Sequence, residues 1–285
     1  MTTPFDYDRN PERFRLATEV TQRYLRVGRS LYTHLAELLA GVGARRILDI
    51  GCGEGALRAA LPVQLQSRAV GLDASWTMLG AHPRPVVQAH AAALPFPAGV
   101  FDAAVAVNVL DHLDEPAVAI AEAHRVLVAG GQLIAATASR HDAPELAEVW
   151  RPPPSSFDAE NAPDLMAAAF EEIQVERWDA PLVRLPDRDA VRDYLIARFI
   201  PPELATDAAG QITTPATITK RGALIQARKA GSSRVVGHMT RASTRQPHAP
   251  VKATADEVVV RGPVGPSCSR HDHRSSRLDG RAGFP

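Results

Sequence analysis

The chain has 285 residues, 45% of them apolar, which is enough for a substantial core. Basic and acidic side chains balance at 32 each, but residues 231–285 contain nine basic and four acidic ones. Residues 1–230 are therefore mildly acidic, so nucleic acid is not an expected partner. Two cysteines, Cys52 and Cys268, are too few for a disulfide framework and favour a reducing compartment. With neither an apolar leader nor a membrane-length apolar run, the sequence predicts a cytoplasmic protein outside the membrane.

Residues 1–44 are predicted to form a helical cap. Apolar residues recur at helical spacing in two series, from Leu16 to Tyr24 and from Leu31 to Leu39. Each helix has one face to bury, which we expect to lie on the sheet that follows. Tyr7 and Tyr24 either reach over a ligand from this cap or pack as ordinary amphipathic aromatics.

The segment from Ile47 to Gly55 joins a predicted buried strand to a helical pattern from Ala56 to Leu65 through three glycines in five residues. Glycine permits positive φ and leaves room for a ligand against backbone N–H groups at a helix N-terminus. Read as Gly51, Gly53 and Ala56, the spacing also fits the dinucleotide fingerprint. By itself it therefore predicts a nucleotide ligand without saying which.

A second strand, Ala69 to Asp73, follows after one helix length, as in a right-handed βαβ unit with parallel strands. Asp73 ends that strand and should project over the same crevice as the glycine turn. There its carboxylate can accept hydrogen bonds from both hydroxyls of a ribose. The alternative is that Asp73 caps the helix starting near Ser75.

The remaining elements follow from periodicity and from Pro and Gly positions. Strands are predicted at Val86 to Ala89, Ala103 to Val109, Gln132 to Ala138, Phe170 to Trp178 and Ala223 to Ala227. Helices are predicted from Glu115 to Val128 with Gly130-Gly131 as the stop, from an Asn161 cap, and from Asp187 to a close at Pro201-Pro202.

Four motifs occur in a set order: Asp49-x-Gly51-x-Gly53, then Gly71-Leu72-Asp73, then Leu94-Pro95-Phe96 with Phe101-Asp102, and then Glu122-x-x-Arg125-Val126-Leu127-x-x-Gly130-Gly131. Together they resemble the class I S-adenosylmethionine-dependent methyltransferases, most closely the small-molecule type with a single methyltransferase domain. The resemblance is strong over residues 45–138 and looser to residue 230. It implies an α/β, Rossmann-like fold: a seven-stranded, mostly parallel sheet with helices on both faces and an antiparallel edge strand.

The resemblance implies a domain over residues 45–230 that binds S-adenosyl-L-methionine and transfers its methyl group to an O, N or C atom of a small molecule. The acceptor and the oligomeric state are left open. The composition of residues 231–285 predicts a disordered tail. In that tail Cys268 and His271-Asp272-His273 lack a second cluster at ligand spacing, so no metal site is predicted.

The resemblance also assigns the cofactor-contacting positions. They are Asp49, Gly51 and Gly53 at the methionine portion, Asp73 at the ribose, His90, Ala91 and Ala92 at the adenine, and Asn108 and Val109 beneath the sulfonium, with Cys52 and Ala74 as further cofactor-binding positions.

His90 departs from the family pattern, which often has an acidic residue there to meet the adenine amino group. A neutral imidazole can accept that hydrogen bond and a protonated one cannot, so we expect adenine affinity to fall as the pH drops. His112, beside Asp111, is either a general base for the acceptor or a structural histidine, and no catalytic residue is assigned.

Two other functions fit part of the pattern. The glycine spacing and Asp73 also suit an NAD(P)-dependent oxidoreductase, although the Leu94-Pro95-Phe96 segment and the lack of a Tyr-x-x-x-Lys pair argue against it. A catalytically inactive module that binds S-adenosylmethionine is the non-enzyme alternative.

Overall fold

The computed structural model describes residues 11–26 and 30–231. Within them the helices are α1 (Pro11–Tyr24), α2 (Leu31–Gly41), α3 (Ala56–Ala60), α4 (Val63–Gln66), α5 (Trp76–Ala81), α6 (Pro116–Val126), α7 (Ala162–Ala167), α8 (Arg188–Ile196) and α9 (Pro202–Gln211). The strands are β1 (Ile47–Ile50), β2 (Ala69–Asp73), β3 (Val86–Gln88), β4 (Phe101–Val107), β5 (Leu127–Ala138), β6 (Glu172–Leu185) and β7 (Ala216–Arg228). Tyr7 and the predicted tail with its Cys268 and histidines lie outside the described residues.

In the described part, seven strands form one sheet in the order β3-β2-β1-β4-β5-β7-β6. Strands β1 to β5 are mutually parallel, and β7 runs antiparallel to both β5 and β6. The predicted α/β fold with an antiparallel strand at one side is therefore confirmed. Ile50 pairs with Leu72 and with Ala106, so β1, β2 and β4 end at one edge of the sheet, called the carboxyl edge below.

Proline and glycine account for the elements that differ from the prediction. The helix predicted from Ala56 to Leu65 is split, because Pro62 disfavours helical backbone at the preceding Leu61, which is extended at φ −66° and ψ 141°. Pro202, predicted to close a helix, instead opens α9 as its first residue, a position that needs no N–H donor.

The end of α6 also differs from the prediction. The helix stops at Val126, and Gly130-Gly131, expected to terminate it, lie inside β5. Gly130 has φ 79° there, and the pairing of β4 with β5 shifts register between Phe101 and Ala103. The two glycines thus shape an irregular start of a strand.

The two N-terminal helices cover different surfaces. Leu35 and Leu39 of α2 are fully buried against the sheet, in a core that includes Ile47. In contrast, α1 packs mainly against α8 and the end of β6, and Val20 belongs to a second core built around Val191. This second core, which also contains α9 and residues 143–146, is called the cap core below.

The open edge of the sheet is formed by β6. The first half of this strand carries exposed charged side chains, and its pairing with β7 is irregular at Pro181. Further along, Leu25 forms an isolated antiparallel bridge to Val183, and the Arg26 N–H donates to the Leu182 carbonyl over 2.6 Å. The segment after α1 therefore covers the second half of this edge.

Among the described residues, none of the helices has the length and apolar character needed to cross a bilayer. The predicted boundaries at residues 44 and 230 stay predictions.

We expect Leu35→Ala to lower the free energy of unfolding by about 2–5 kcal/mol, because it leaves a cavity between α2 and the sheet. Leu204→Ala, at a side chain 57% exposed on α9, is the matched control and should change it by less than about 0.5 kcal/mol. Denaturant unfolding measures both, and equal effects would contradict the burial described for α2.

Candidate cofactor site

The glycine turn after β1 lies where three strands end. Gly51 has φ 67°, and a Cβ placed on it would be 2.4 Å from Cγ2 of Val109, so only glycine fits. The N–H groups of Gly51 and Cys52 donate to the Leu72 carbonyl over 2.7 and 3.0 Å, which ties the turn to β2. Gly51 and Val109, which the sequence assigned to different parts of the cofactor, thus lie next to each other.

Asp73 lies against the same turn, as predicted from its place in the βαβ unit. One carboxylate oxygen accepts from the Gly53 N–H and the other from the Ser75 N–H, both over 2.9 Å. The alternative of a helix cap is not realised, because the Ser75 hydroxyl caps α5 by accepting from the Met78 N–H. A carboxylate offers about four acceptor positions, so Asp73 can still accept hydrogen bonds from a ligand.

Asp49 is a buried carboxylate with an unused acceptor. It is 5% exposed, and its Oδ2 atom has no hydrogen-bond partner among residues 11–26 and 30–231. Burial, with the Asp73 carboxylate as a second cause, raises the pKa of Asp49 to about 8. Burial and the Asp49 charge likewise raise the pKa of Tyr32 to about 12. A cationic group entering the site would favour the ionised form of Asp49.

Cys52 is buried between these carboxylates. Burial, followed by the charges of Asp49 and Asp73, raises the pKa of its thiol, which makes the thiol unreactive at neutral pH.

The turn after β4 aims Val109 at the glycine turn. Asn108 adopts a left-handed conformation at φ 50°, which asparagine tolerates better than most residues, and its N–H donates to the Ala136 carbonyl over 2.9 Å. This reversal places Val109, one of the two predicted floor residues, beside Gly51.

The predicted adenine side is formed by short turns after β2 and β3. The Ala74 carbonyl accepts from the Gln88 side-chain amide over 3.1 Å, and Ala91 is buried. Nδ1 of the exposed His90 accepts from the Ala92 N–H over 3.2 Å, so the neutral ring carries its proton on Nε2. That nitrogen is then a donor, suited to a ring nitrogen of a base rather than to its amino group.

The Leu94-Pro95-Phe96 segment is held by the Glu122-x-x-Arg125 motif of α6. Glu122 Oε2 accepts from the Leu94 N–H over 2.9 Å, and the Arg125 guanidinium donates to the carbonyls of Leu94 and Phe96. Glu122 and Arg125 also form an ion pair at 2.7 Å. Two of the sequence motifs are therefore one physical unit.

Helix α1 covers the glycine turn, which the sequence did not predict. The Phe14 ring lies 3.5 Å from a Cβ placed on Gly53, and Arg15 pairs with Glu54 at 2.8 Å. Tyr24, the aromatic considered from the sequence, packs instead against the cap core. Nothing in the sequence near Phe14 and Arg15 indicates that their partners are Gly53 and Glu54, 39 residues further along the chain.

His82 was also missed. Nδ1 of His82 lies 2.6 Å from the Pro83 carbonyl, so it carries the proton, and Nε2 lies 2.9 Å from a Cβ placed on Gly71. The ring is buried behind the turn, and burial lowers its pKa. His82 therefore packs against Gly55 of the turn and Gly71 of β2.

Asp111 and His112 lie in a short 3-10 helix after β4. Nδ1 of His112 is 3.8 Å from Oδ2 of Asp111, too long for a hydrogen bond, and burial raises the pKa of Asp111. This geometry assigns neither residue a catalytic role.

Residues 48–135 match the sequence model of a family described as a methyltransferase domain. Over these residues the chain carries a methyltransferase domain. A ubiquinone biosynthesis O-methyltransferase of Pseudomonas aeruginosa strain UCBPP-PA14 is 29% identical over 120 residues, which are 36% of this chain and 48% of that protein. A protein of the same description from Aromatoleum aromaticum is 30% identical over 112 residues, covering 36% and 47%. The chain thus spans about half the length of these curated relatives.

The methyltransferase domain also shares its fold with a solved structure. The YcgJ protein of Bacillus subtilis superposes with a TM-score of 0.50 at 18% identity, over 70% of this chain and 99% of that one.

The cofactor of this class is S-adenosylmethionine, and the residues present fit it. The cofactor's amino group needs a buried acceptor, and Asp49 has a free one. Its ribose needs a carboxylate at the end of β2, where Asp73 lies. Its methionine portion needs space beside the protein backbone, which Gly51 leaves. Within the described ranges, no group of three or more His, Cys, Asp or Glu is placed to hold a metal ion.

Asp49→Asn should remove a pH dependence from the stability of the methyltransferase domain. Since the pKa of Asp49 rises from about 3.9 unfolded to about 8 folded, the folded state holds an extra proton between these values. Stability therefore falls as the pH rises from 4 to 8. Between pH 5 and pH 8, we expect the free energy of unfolding of the parent to fall by about 1–3 kcal/mol more than that of D49N.

Urea unfolding at several pH values measures this difference. Asp207→Asn, at an exposed position of α9, is the control and should keep the parent profile. Parallel profiles for D49N and the parent would contradict a raised Asp49 pKa.

Gly51→Ala should damage the turn twice, through its positive φ and through overlap with Val109. We expect a loss of about 1–3 kcal/mol in the free energy of unfolding and at least about tenfold weaker binding of S-adenosylhomocysteine by calorimetry. Gly80→Ala is the control, because a Cβ there meets nothing within 4 Å. An unaffected G51A would show that the turn tolerates a side chain.

Proposed function

We propose that this chain transfers a methyl group from S-adenosylmethionine to an O, N or C atom of a small molecule. The observation that carries the proposal is the joining of Asp49, Gly51, Asp73 and Val109 at one carboxyl edge of a methyltransferase domain. Each of these residues was assigned a cofactor contact from the sequence, and their common location supports those assignments.

The roles follow from the chemistry of each group. Ionised Asp49 attracts the ammonium of the methionine portion, in a buried setting where charges interact strongly. Asp73 accepts hydrogen bonds from the ribose hydroxyls, while Gly51 and Gly53 allow close approach to the backbone. Val109 forms an apolar floor beside Gly51.

When bound, S-adenosylmethionine supplies a methyl group on a positive sulfur with a neutral leaving group. The protein then has to align the acceptor atom and exclude water, and holding reactants at about 3–3.5 Å contributes much of the rate. Phe14 and the Arg15–Glu54 ion pair suit α1 to cover the site during the reaction.

The acceptor is proposed at the level of class only. The two curated relatives described above are O-methyltransferases by description, so acceptors with a hydroxyl group are the first to test. A cytoplasmic location and the absence of nucleic acid among the partners complete the proposal, on the cysteine usage and charge of the sequence.

Calorimetric titration with S-adenosylhomocysteine and with NADH separates the proposal from an oxidoreductase. We expect micromolar-range binding of S-adenosylhomocysteine and no binding of NADH, and the reverse result would overturn the proposal. A screen of small hydroxylated acceptors with methyl-labelled cofactor then separates an enzyme from an inactive binding module.

Asp73→Ala should weaken S-adenosylhomocysteine binding by about 1.5–3 kcal/mol, the range for hydrogen bonds to a charged group. Asp164→Ala, at an exposed position of α7, is the matched control and should bind as the parent does. Equal affinity of D73A and the parent would remove Asp73 from the site.

A further inference from the structure

The cap core contains polar groups that an apolar core does not need. Arg198, just after α8, lies with its guanidinium carbon 3.3 Å from the ring centre of Tyr194 and 5.5 Å from that of Trp150. Lys220 of β7 is near enough for its charge to interact with Arg198. These four residues are called the cap cation group below.

Arg198 has no carboxylate partner. Within residues 11–26 and 30–231 it forms no ion pair, and its one hydrogen bond is from Nη1 to the Tyr194 carbonyl over 3.1 Å. A guanidinium has five N–H donors, and leaving a partly buried cation unpaired is costly. Burial accordingly lowers the pKa of Arg198.

The carboxylates of Asp142 and Glu145 hydrogen-bond to other residues, although the Asp142 charge also interacts with Arg198. Asp142 accepts from the Arg221 N–H over 2.8 Å with one oxygen and pairs with Lys220 through the other. Glu145 accepts from the N–H and the hydroxyl of Thr219 with its two oxygens. Lys220 is therefore paired with Asp142, and neither carboxylate accepts a hydrogen bond from Arg198.

Tyr194 provides a second unused donor. Its side chain is fully buried, and its hydroxyl has no hydrogen-bond partner in the described part of the chain. A buried hydroxyl without a partner costs about 1–3 kcal/mol, so a hydroxyl beside an unpaired guanidinium is expected to meet an acceptor that arrives from outside.

The cap cation group includes Lys220, whose partner Asp142 lies beyond the same carboxyl edge as the candidate cofactor site. Asp142 follows closely after β5, which ends at the carboxyl edge with Ala138. Helix α1 connects the two places, because Phe14 covers Gly53 while Val20 packs in the cap core, and these positions are about 9 Å apart along the helix.

We propose that Arg198 and the Tyr194 hydroxyl bind a carboxylate group of the methyl acceptor. The planar guanidinium of Arg198 can pair with a carboxylate through two hydrogen bonds, and the Tyr194 hydroxyl can donate a third. The proposal rests on the proposed methyl transfer, since it names the class of acceptor.

Matched carboxylate and carboxamide probes test the site: acetate against acetamide, and phenylacetate against phenylacetamide. Ligand-observed NMR titrations of the full chain at pH 7.5 give the dissociation constants. For at least one pair we expect the carboxylate to bind about tenfold or more tightly, and Arg198→Met to abolish that preference. No preference in either pair, or a preference that survives in R198M, overturns the proposal.

Arg192→Met is the control, the same substitution on α8 at a side chain paired with Asp189 and Asp193, and it should keep the preference. If R198M does not fold, Tyr194→Phe decides, because it removes only the hydroxyl. A threefold or larger loss of preference supports the site, and an unchanged preference overturns it.

Titration of the same samples with S-adenosylhomocysteine separates the two proposals. The probes are measured without cofactor, so a carboxylate preference in a chain that fails to bind S-adenosylhomocysteine would overturn the proposed function alone. Binding of S-adenosylhomocysteine without a carboxylate preference would overturn the carboxylate site alone and would still support methyl transfer.

Discussion

The missing side chain at Gly51 is the constraint on which the site depends. It lets Val109 approach the turn from β4 while the Leu72 carbonyl holds the turn from β2, so three strand ends share one small volume. Asp73 then reaches the Gly53 N–H, and Asp49 is enclosed with an unpaired oxygen. The close packing of the site thus depends on Gly51, because a Cβ at that position would overlap Val109.

Elements with local signals were predictable from the sequence. Strand β2 has its predicted bounds, and Asp187 caps α8 through the Ala190 N–H, because both depend on neighbouring residues. The cofactor-contacting residues could be proposed since parallel strands bring their ends to one edge. Those roles stay predictions, although the residues lie together.

Features that depend on distant partners could not be predicted in this way. The Phe14 contact with the glycine turn and the placement of Arg198 over Tyr194 require knowledge of which helix packs where. Pro62 and Pro202 are ambiguous for another reason, since proline both ends a helix and begins one. The packing of α1 against the cap core was missed because an amphipathic face does not identify its partner.

Strand β6 shows how the sheet ends. A strand of 14 residues at an open edge offers a row of backbone groups on which a strand from another chain could pair. Here charged side chains line its first half, Pro181 interrupts the ladder, and the segment after α1 already occupies the edge at Val183. While α1 covers the glycine turn, the segment that follows it thus shields part of the open edge from pairing with a strand of another chain.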